Sequence, residues 1–174
     1  MLLTPAQDHD LPAIADLVNR AYRGEEAQKG WTTEAHILDG QRTDLETLRT
    51  DLAAKPGSTI LTLRDDASSK PFACVWVEPI PDDVWLIGMV SVDPQRQDGG
   101  LGRRLLDAAE AHARAGGGRF GKMTVIEGRD TLIAWYGRRG YAPTGEYEPF
   151  PFDDPRFGRP KVEGLQFLVL KKAL

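Results

Sequence analysis

Val90-Ser91-Val92-Asp93-Pro94-Gln95-Arg96-Gln97-Asp98-Gly99-Gly100-Leu101-Gly102-Arg103-Arg104-Leu105-Leu106 runs from an apolar, strand-like stretch through a proline and three glycines directly into a helical pattern. The first N–H groups of a helix have no partner within it and carry the positive end of its dipole, so a strand–glycine–helix junction can cradle a phosphate. Gly100 and Gly102 permit close backbone approach and positive φ, and Arg103 and Arg104 add cationic donors. Two common phosphate loops do not fit. A dinucleotide fingerprint requires glycine at 105, where the chain has Leu105, and a P-loop requires Gly-Lys-Ser/Thr where the chain has Gly102-Arg103-Arg104. The remaining pattern is Q-x-x-G-x-G, from Gln97 through Gly100 to Gly102.

Working outward, Leu101, Leu105, Ala108, Ala109 and His112 form a helical stripe that Gly116-Gly117-Gly118 ends, and a strand over about 122–127 follows. Thr131–Arg139 reads as a short helix with Gly140 just past its end, and 141–147 and 165–170 read as two last strands around the Pro- and Asp-rich loop 149–160. Upstream lie three strand-like runs, 58–64, 72–78 and 84–92, which the spacing predicts as an antiparallel meander. The third is almost wholly apolar, as a strand covered on both faces must be, and Gly88 inside it marks a bulge or a close approach. Ile14, Leu17, Val18 and Ala21 predict a first helix from an Asp10 cap to about Arg23. Thr43 and Glu46 read as a capping box for a second helix, stopped by Pro56-Gly57. The expected fold class is α+β: one domain over 1–174 with a mixed sheet.

Composition excludes several classes of function. The 174 residues, 41% hydrophobic and 28% charged, suffice for one well-buried core and are neither disordered nor fibrous. The formal net charge of −4 argues against non-specific nucleic-acid binding. No run approaches the roughly 18 apolar residues of a membrane span, and the lone Cys74, set in an apolar run, reads as a core residue in a reducing compartment. A cytoplasmic protein with neither nucleic-acid nor membrane partner is expected. The three histidines are too scattered for a metal site. Residues 25–54 carry seven acids against three bases, whereas 95–122 carry six bases against three acids. An anion would prefer the second region.

The junction resembles the acyl-CoA pyrophosphate loop of the GNAT superfamily of N-acetyltransferases. The stretch Arg129-Asp130-Thr131-Leu132-Ile133-Ala134-Trp135-Tyr136-Gly137-Arg138-Arg139-Gly140-Tyr141 is similar to that family's N-x-x-A-x-x-x-Y-x-K-x-G-F helix, with Tyr136, Arg138, Gly140 and Tyr141 in place. It departs at two positions. Arg129 stands where asparagine is usual, and Leu132 takes the alanine position, with Ala134 two residues on, so a cofactor contact by the asparagine does not carry over.

The resemblance implies an α/β/α sandwich whose central sheet is mixed, mostly antiparallel and splayed between its central strands, with acetyl-CoA as co-substrate and no metal. Val90 and Val92 would lie on the strand that holds the pantetheine arm, while Gln97, Asp98, Gly99, Gly100, Gly102 and Arg103 would hold the pyrophosphate. Tyr136 would protonate the departing thiolate. Glu78 and Glu127 are candidate bases, with Glu34 or His36 as others. The first two helices and their connection would wall the acceptor site, placing Trp31 and Glu34 beside a primary amine, with a small polar or cationic amine favoured over a protein amine. A homodimer is admitted. The rivals are a non-catalytic acyl-CoA sensor or interaction module and a nucleotide-binding regulator.

Overall fold

The computed structural model describes residues 1–23, 32–96 and 99–174. Among these, nine strands and four α-helices occur, with a seven-stranded sheet at the centre in the order β1-β3-β4-β5-β6-β9-β7. The strands are β1 (Leu2–Pro5), β2 (Leu38–Asp39), β3 (Thr59–Arg64), β4 (Ala73–Ile80), β5 (Val84–Val92), β6 (Phe120–Ile126), β7 (Ala142–Pro149), β8 (Arg159–Pro160) and β9 (Gln166–Ala173). The helices are α1 (Leu11–Tyr22), α2 (Leu45–Ala54), α3 (Leu101–Ala115) and α4 (Asp130–Gly137).

The meander β3-β4-β5 is antiparallel, and the β5-α3-β6 crossover makes the sheet's one parallel pair. Period-2 alternation sorts the strands between two cores. Leu61, Leu63, Ala73, Val75 and Val77 face Leu105, Leu106, Ala109 and Ala113 of α3, while Ile60, Cys74 and Trp76 face Ile14, Leu17, Val18 and Ala21 of α1. The result is an α/β/α sandwich with β5 as the fourth of seven strands, buried on both faces as its apolar run predicts. Cys74 is fully buried, and burial pushes its thiol pKa up to about 12, which leaves it a protonated core residue.

Several details differ from the expectation. The α2 cap is Asp44, one residue beyond Thr43, because the Asp44 carboxylate accepts from the Thr47 N–H at 2.7 Å. Asp10 precedes α1 but does not cap it; its carboxylate accepts from the Gln7 N–H and from buried Arg64. Edge strand β1 and the short β2–β8 pair carry no alternation long enough to read from sequence. The bulge in β5 lies one or two residues beyond Gly88: the β4–β5 register slips between Cys74 and Trp76, and Met89 takes φ 52°. The glycines at the end of α3 also do more than stop the helix, since a Cβ on Gly116 or Gly118 would collide with the Trp85 ring. Leu105 is wholly buried between α3 and the sheet, and Leu105→Ala is expected to cost about 2–5 kcal/mol, read as a lower urea midpoint at unchanged slope.

Candidate active site

The site begins where hydrogen bonding between two neighbouring strands stops. β5 and β6 pair only from Val84↔Phe120 to Leu86↔Lys122, and beyond Leu86 no ladder joins them. A cavity of about 310 Å³ opens in the gap, lined by Gly88, Met89, Thr124 and Val125 from the strands, Tyr22 and Arg42 on one side, and Leu132 and Tyr136 of α4 on the other. A second cavity of about 420 Å³ adjoins it toward α2, and the two share Arg42, Ile87, Gly88, Met89, Thr124 and Phe157. A larger groove near the start of α1 shares no lining residue with either, and its Asp10–Arg64, Arg20–Asp93 and Arg96–Asp65 charges are paired.

Tyr136 is buried, its ring held edge-on by Trp135 and Tyr141 at 5.1 and 6.1 Å between centroids. Its side chain lines the cavity, and its hydroxyl has no hydrogen-bond partner among the described residues. Burial pushes its pKa well above the ordinary tyrosine range. Across the cavity, the Tyr22 hydroxyl donates to the Val90 carbonyl at 3.0 Å and fixes the bulged segment of β5. Burial, with the Glu34 charge behind it, raises the Tyr22 pKa to about 12.

At the junction that follows β5, Gly99 and Gly100 adopt φ +85° and +72°, with open space where a Cβ would point. Gly100 caps α3 in the left-handed conformation, with no side-chain cap on the first N–H groups of the helix. Gly102 is buried in the first turn, and Arg103 is exposed with only a loose 3.7 Å contact to Asp107. Val90 and Val92 are buried in the diverging part of β5. Gln97, Asp98 and Trp31 lie outside the described residues.

The two candidate bases are not brought to the cleft. Glu78 lines neither cavity, because Lys55 Nζ and Trp76 Nε1 each hold its carboxylate at 3.0 Å. Glu127 is exposed and accepts from Gln166 Nε2 at 2.6 Å. His36 is exposed. Glu34 does reach the first cavity, but as a buried carboxylate held by Arg23 at 2.6 Å and Arg129 at 3.2 Å. The acid expected to draw in a cation is therefore already neutralised. Arg129, at the motif's asparagine position, also donates to the Thr33 carbonyl at 3.1 Å. Sequence reading missed Arg42 and Arg23, since a lone arginine in a polar loop carries no spacing signal.

A family model described as the acetyltransferase (GNAT) family matches residues 11–141. The chain belongs to that family. The GNAT fold recurs in solved structures below 25% identity, where the likeness concerns the fold. The ribosomal-protein-alanine N-acetyltransferase of Brucella melitensis aligns over 100% of both chains at TM-score 0.72 and 21% identity. The yncA protein of Salmonella typhimurium, solved with its cofactor acetyl-CoA, aligns over 100% of this chain and 94% of its own at TM-score 0.70 and 19% identity. The ribosomal-protein-S18-alanine N-acetyltransferase of Escherichia coli aligns over 99% and 92% at 0.68 and 16%. A search of curated protein sequences finds no match. Among the described residues of this GNAT protein, no cluster of His, Cys, Asp and Glu could hold a metal, and no helix is long and apolar enough to cross a membrane.

Two outcomes follow from the buried polar groups. Glu34→Gln leaves two buried guanidiniums without their carboxylate and should destabilise by roughly 3–5 kcal/mol in denaturant titration. Tyr22 keeps its proton to about pH 12 in the fold but loses it near 10 when unfolded, so the unfolded state binds fewer protons in that window and stability falls as pH rises through it. Tyr22→Phe should make that alkaline fall shallower, measured as urea midpoints at pH 9 and 11.

Proposed function

We propose that this GNAT protein is a cytoplasmic enzyme that transfers the acetyl group of acetyl-CoA to a primary amine, by direct attack while both substrates are bound. The observation that carries this reading is the cavity between the diverging halves of β5 and β6, with Tyr136 lining it. The junction at Gly99, Gly100, Gly102 and Arg103 would hold the pyrophosphate, together with Gln97 and Asp98, and the edge of β5 around Val90 and Val92 would hold the pantetheine arm. The fit rests on the uncapped, left-handed start of α3 and the open space above its glycines. Acetyl-CoA supplies an activated thioester carbonyl, and backbone N–H groups on the open strand edge would polarise it as an oxyanion hole does.

The amine nitrogen forms a bond to the acetyl carbon, the C–S bond breaks, and its electron pair leaves on sulfur. Tyr136 is placed to give that sulfur a proton. Its raised pKa keeps it protonated throughout the physiological range, and each unit by which it exceeds a thiol near 8.5 opposes complete transfer by about 1.4 kcal/mol. Burial raises the thiolate's proton affinity as well, so the proton moves as the bond breaks rather than before it. Glu78 and Glu127 are tied up outside the cleft, so the ammonium proton of the acceptor passes to water in the cavity before attack.

Tyr136→Phe keeps the ring and removes the proton, and is expected to lower kcat about 10²-fold with little change in the KM for acetyl-CoA. The high pKa also predicts no tyrosine-dependent loss of kcat up to about pH 10 in the parent enzyme. Gly102→Glu should abolish acetyl-CoA binding in calorimetry while the far-UV spectrum is retained. Free-thiol release with a panel of amines tests the reading as a whole: acetyl-CoA binding with no acceptor-dependent release identifies a sensor instead.

A further inference from the structure

Two of the charged side chains lining the cavities have no ion pair among the described residues, Asp51 in the second cavity and Arg42 in both. Lys55 pairs with Glu78, Arg156 with Asp154, and Glu148 with Lys122. Asp51, on the α2 wall, sits in the field of Arg156. Glu34 is shared between Arg23 and Arg129. The half-buried Arg42 guanidinium has no ion pair and no side-chain hydrogen bond among the described residues, and it lies 5.7 Å from the centroid of the Tyr22 ring. Its charge reaches Arg23, adding to the desolvation that lowers the Arg23 pKa. Arg42 thus adds a third guanidinium to a cavity whose Glu34 carboxylate is already shared by two, which disfavours a ligand bearing only positive charge.

Arg42 is also held in place before any ligand arrives. The Asn19 side chain accepts from the backbone N–H groups of Arg42 and Thr43 at 2.6 and 3.2 Å and donates to the Thr43 carbonyl at 2.8 Å, which pins this stretch of loop to α1. The Tyr22 ring beneath the guanidinium is itself anchored through its hydroxyl to Val90. An arginine with a fixed backbone, a supporting aromatic face and unused planar donors matches the two oxygens of a carboxylate.

Resting on the acetyltransferase reading above, we propose that the acceptor is an amino acid or a close analogue, its carboxylate bound by Arg42 and its amine directed at the thioester. Arg42 and Tyr136 line the same cavity of about 310 Å³, so one small molecule can span from the guanidinium to the reacting centre. That volume is at the low end for small-molecule sites and suits a free amino acid better than a folded protein's tail. The remaining wall, with Ile87, Met89 and Phe157, favours an apolar side chain. A single guanidinium also fits a monoanion better than a phosphate dianion.

The test compares each of the twenty L-amino acids with its C-terminal amide, by thiol release in the presence of acetyl-CoA and by calorimetric binding to protein saturated with CoA. At least one acid is expected to exceed its amide by tenfold or more in kcat/KM and in affinity. Arg42→Gln should reduce that acid-to-amide ratio to near one without raising the KM for acetyl-CoA, and Arg42→Lys should give an intermediate ratio. Amides that react as well as or better than every acid would overturn the proposal and leave the transferase reading standing. Carboxylate-selective binding that Arg42→Gln removes, with no turnover of any acceptor, would support the Arg42 site and overturn the transferase reading. A panel in which no acid binds or reacts overturns the proposal whatever other amines do.

Discussion

The parallel ladder between β5 and β6 lasts three residue pairs and then stops, and the working part of this protein is arranged around that break. A strand in the middle of a sheet normally spends both edges on its neighbours. Here β5 keeps its β4 ladder as far as the bulge and resumes it at Ser91 and Val92, while β6 is fully paired to β9 on its far side. Each strand is thus held firmly by one neighbour and can lean away from the other. Side chains from α1, α4 and the loops close over the gap, so the divergence becomes a lined cavity instead of a solvent-exposed edge.

The bulge in β5 sharpens the same effect. Met89 in the left-handed region is strained for a non-glycine residue, and such strain persists only where the surroundings hold it. They do so here. The Tyr22 hydroxyl donates to the Val90 carbonyl and the Ser91 hydroxyl to the Met89 carbonyl, so the two carbonyls turned out of register are satisfied inside the protein.

The buried Arg23–Glu34–Arg129 cluster ties three parts of the chain together: the end of α1, the connection leading to β2, and the start of α4. Arg23 also reaches the Phe157 carbonyl in the loop before β8. A lone carboxylate at Glu34 would be costly to bury; between two guanidiniums it becomes a clamp joining the end of α1 to the helix that carries Tyr136. Arg129 therefore gives the motif's asparagine position a structural task in this chain. The cluster itself keeps one positive charge beyond its carboxylate, and Arg42, which lines both cavities, has no ion pair among the described residues.

Much of this was legible in the residues themselves. The strand-like runs 58–64 and 72–78 between their turns, the nearly all-apolar 84–92, the 3.6-residue stripe after Leu101 and the glycines at 99, 100 and 102 depend on local stereochemistry and burial, so they revealed the meander, the crossover and the family motif, with Tyr136 inside it. The short pairings of β1, β2 and β8 were not legible, because two to four residues carry too little pattern. Charge partnership was hidden as well: Glu34 is one acid among seven in sequence, and its two arginines lie 11 residues before it and 95 after. Glu78 and Glu127 looked available as bases for the same reason, since only folding brought Lys55, Trp76 and Gln166 against them. The sequence by itself determined which elements form and where the glycine-rich strand-to-helix junction lies. Which charges are neutralised and which remain unpaired was decided only in the tertiary structure, because electrostatic pairing depends on distances between side chains that are remote along the chain.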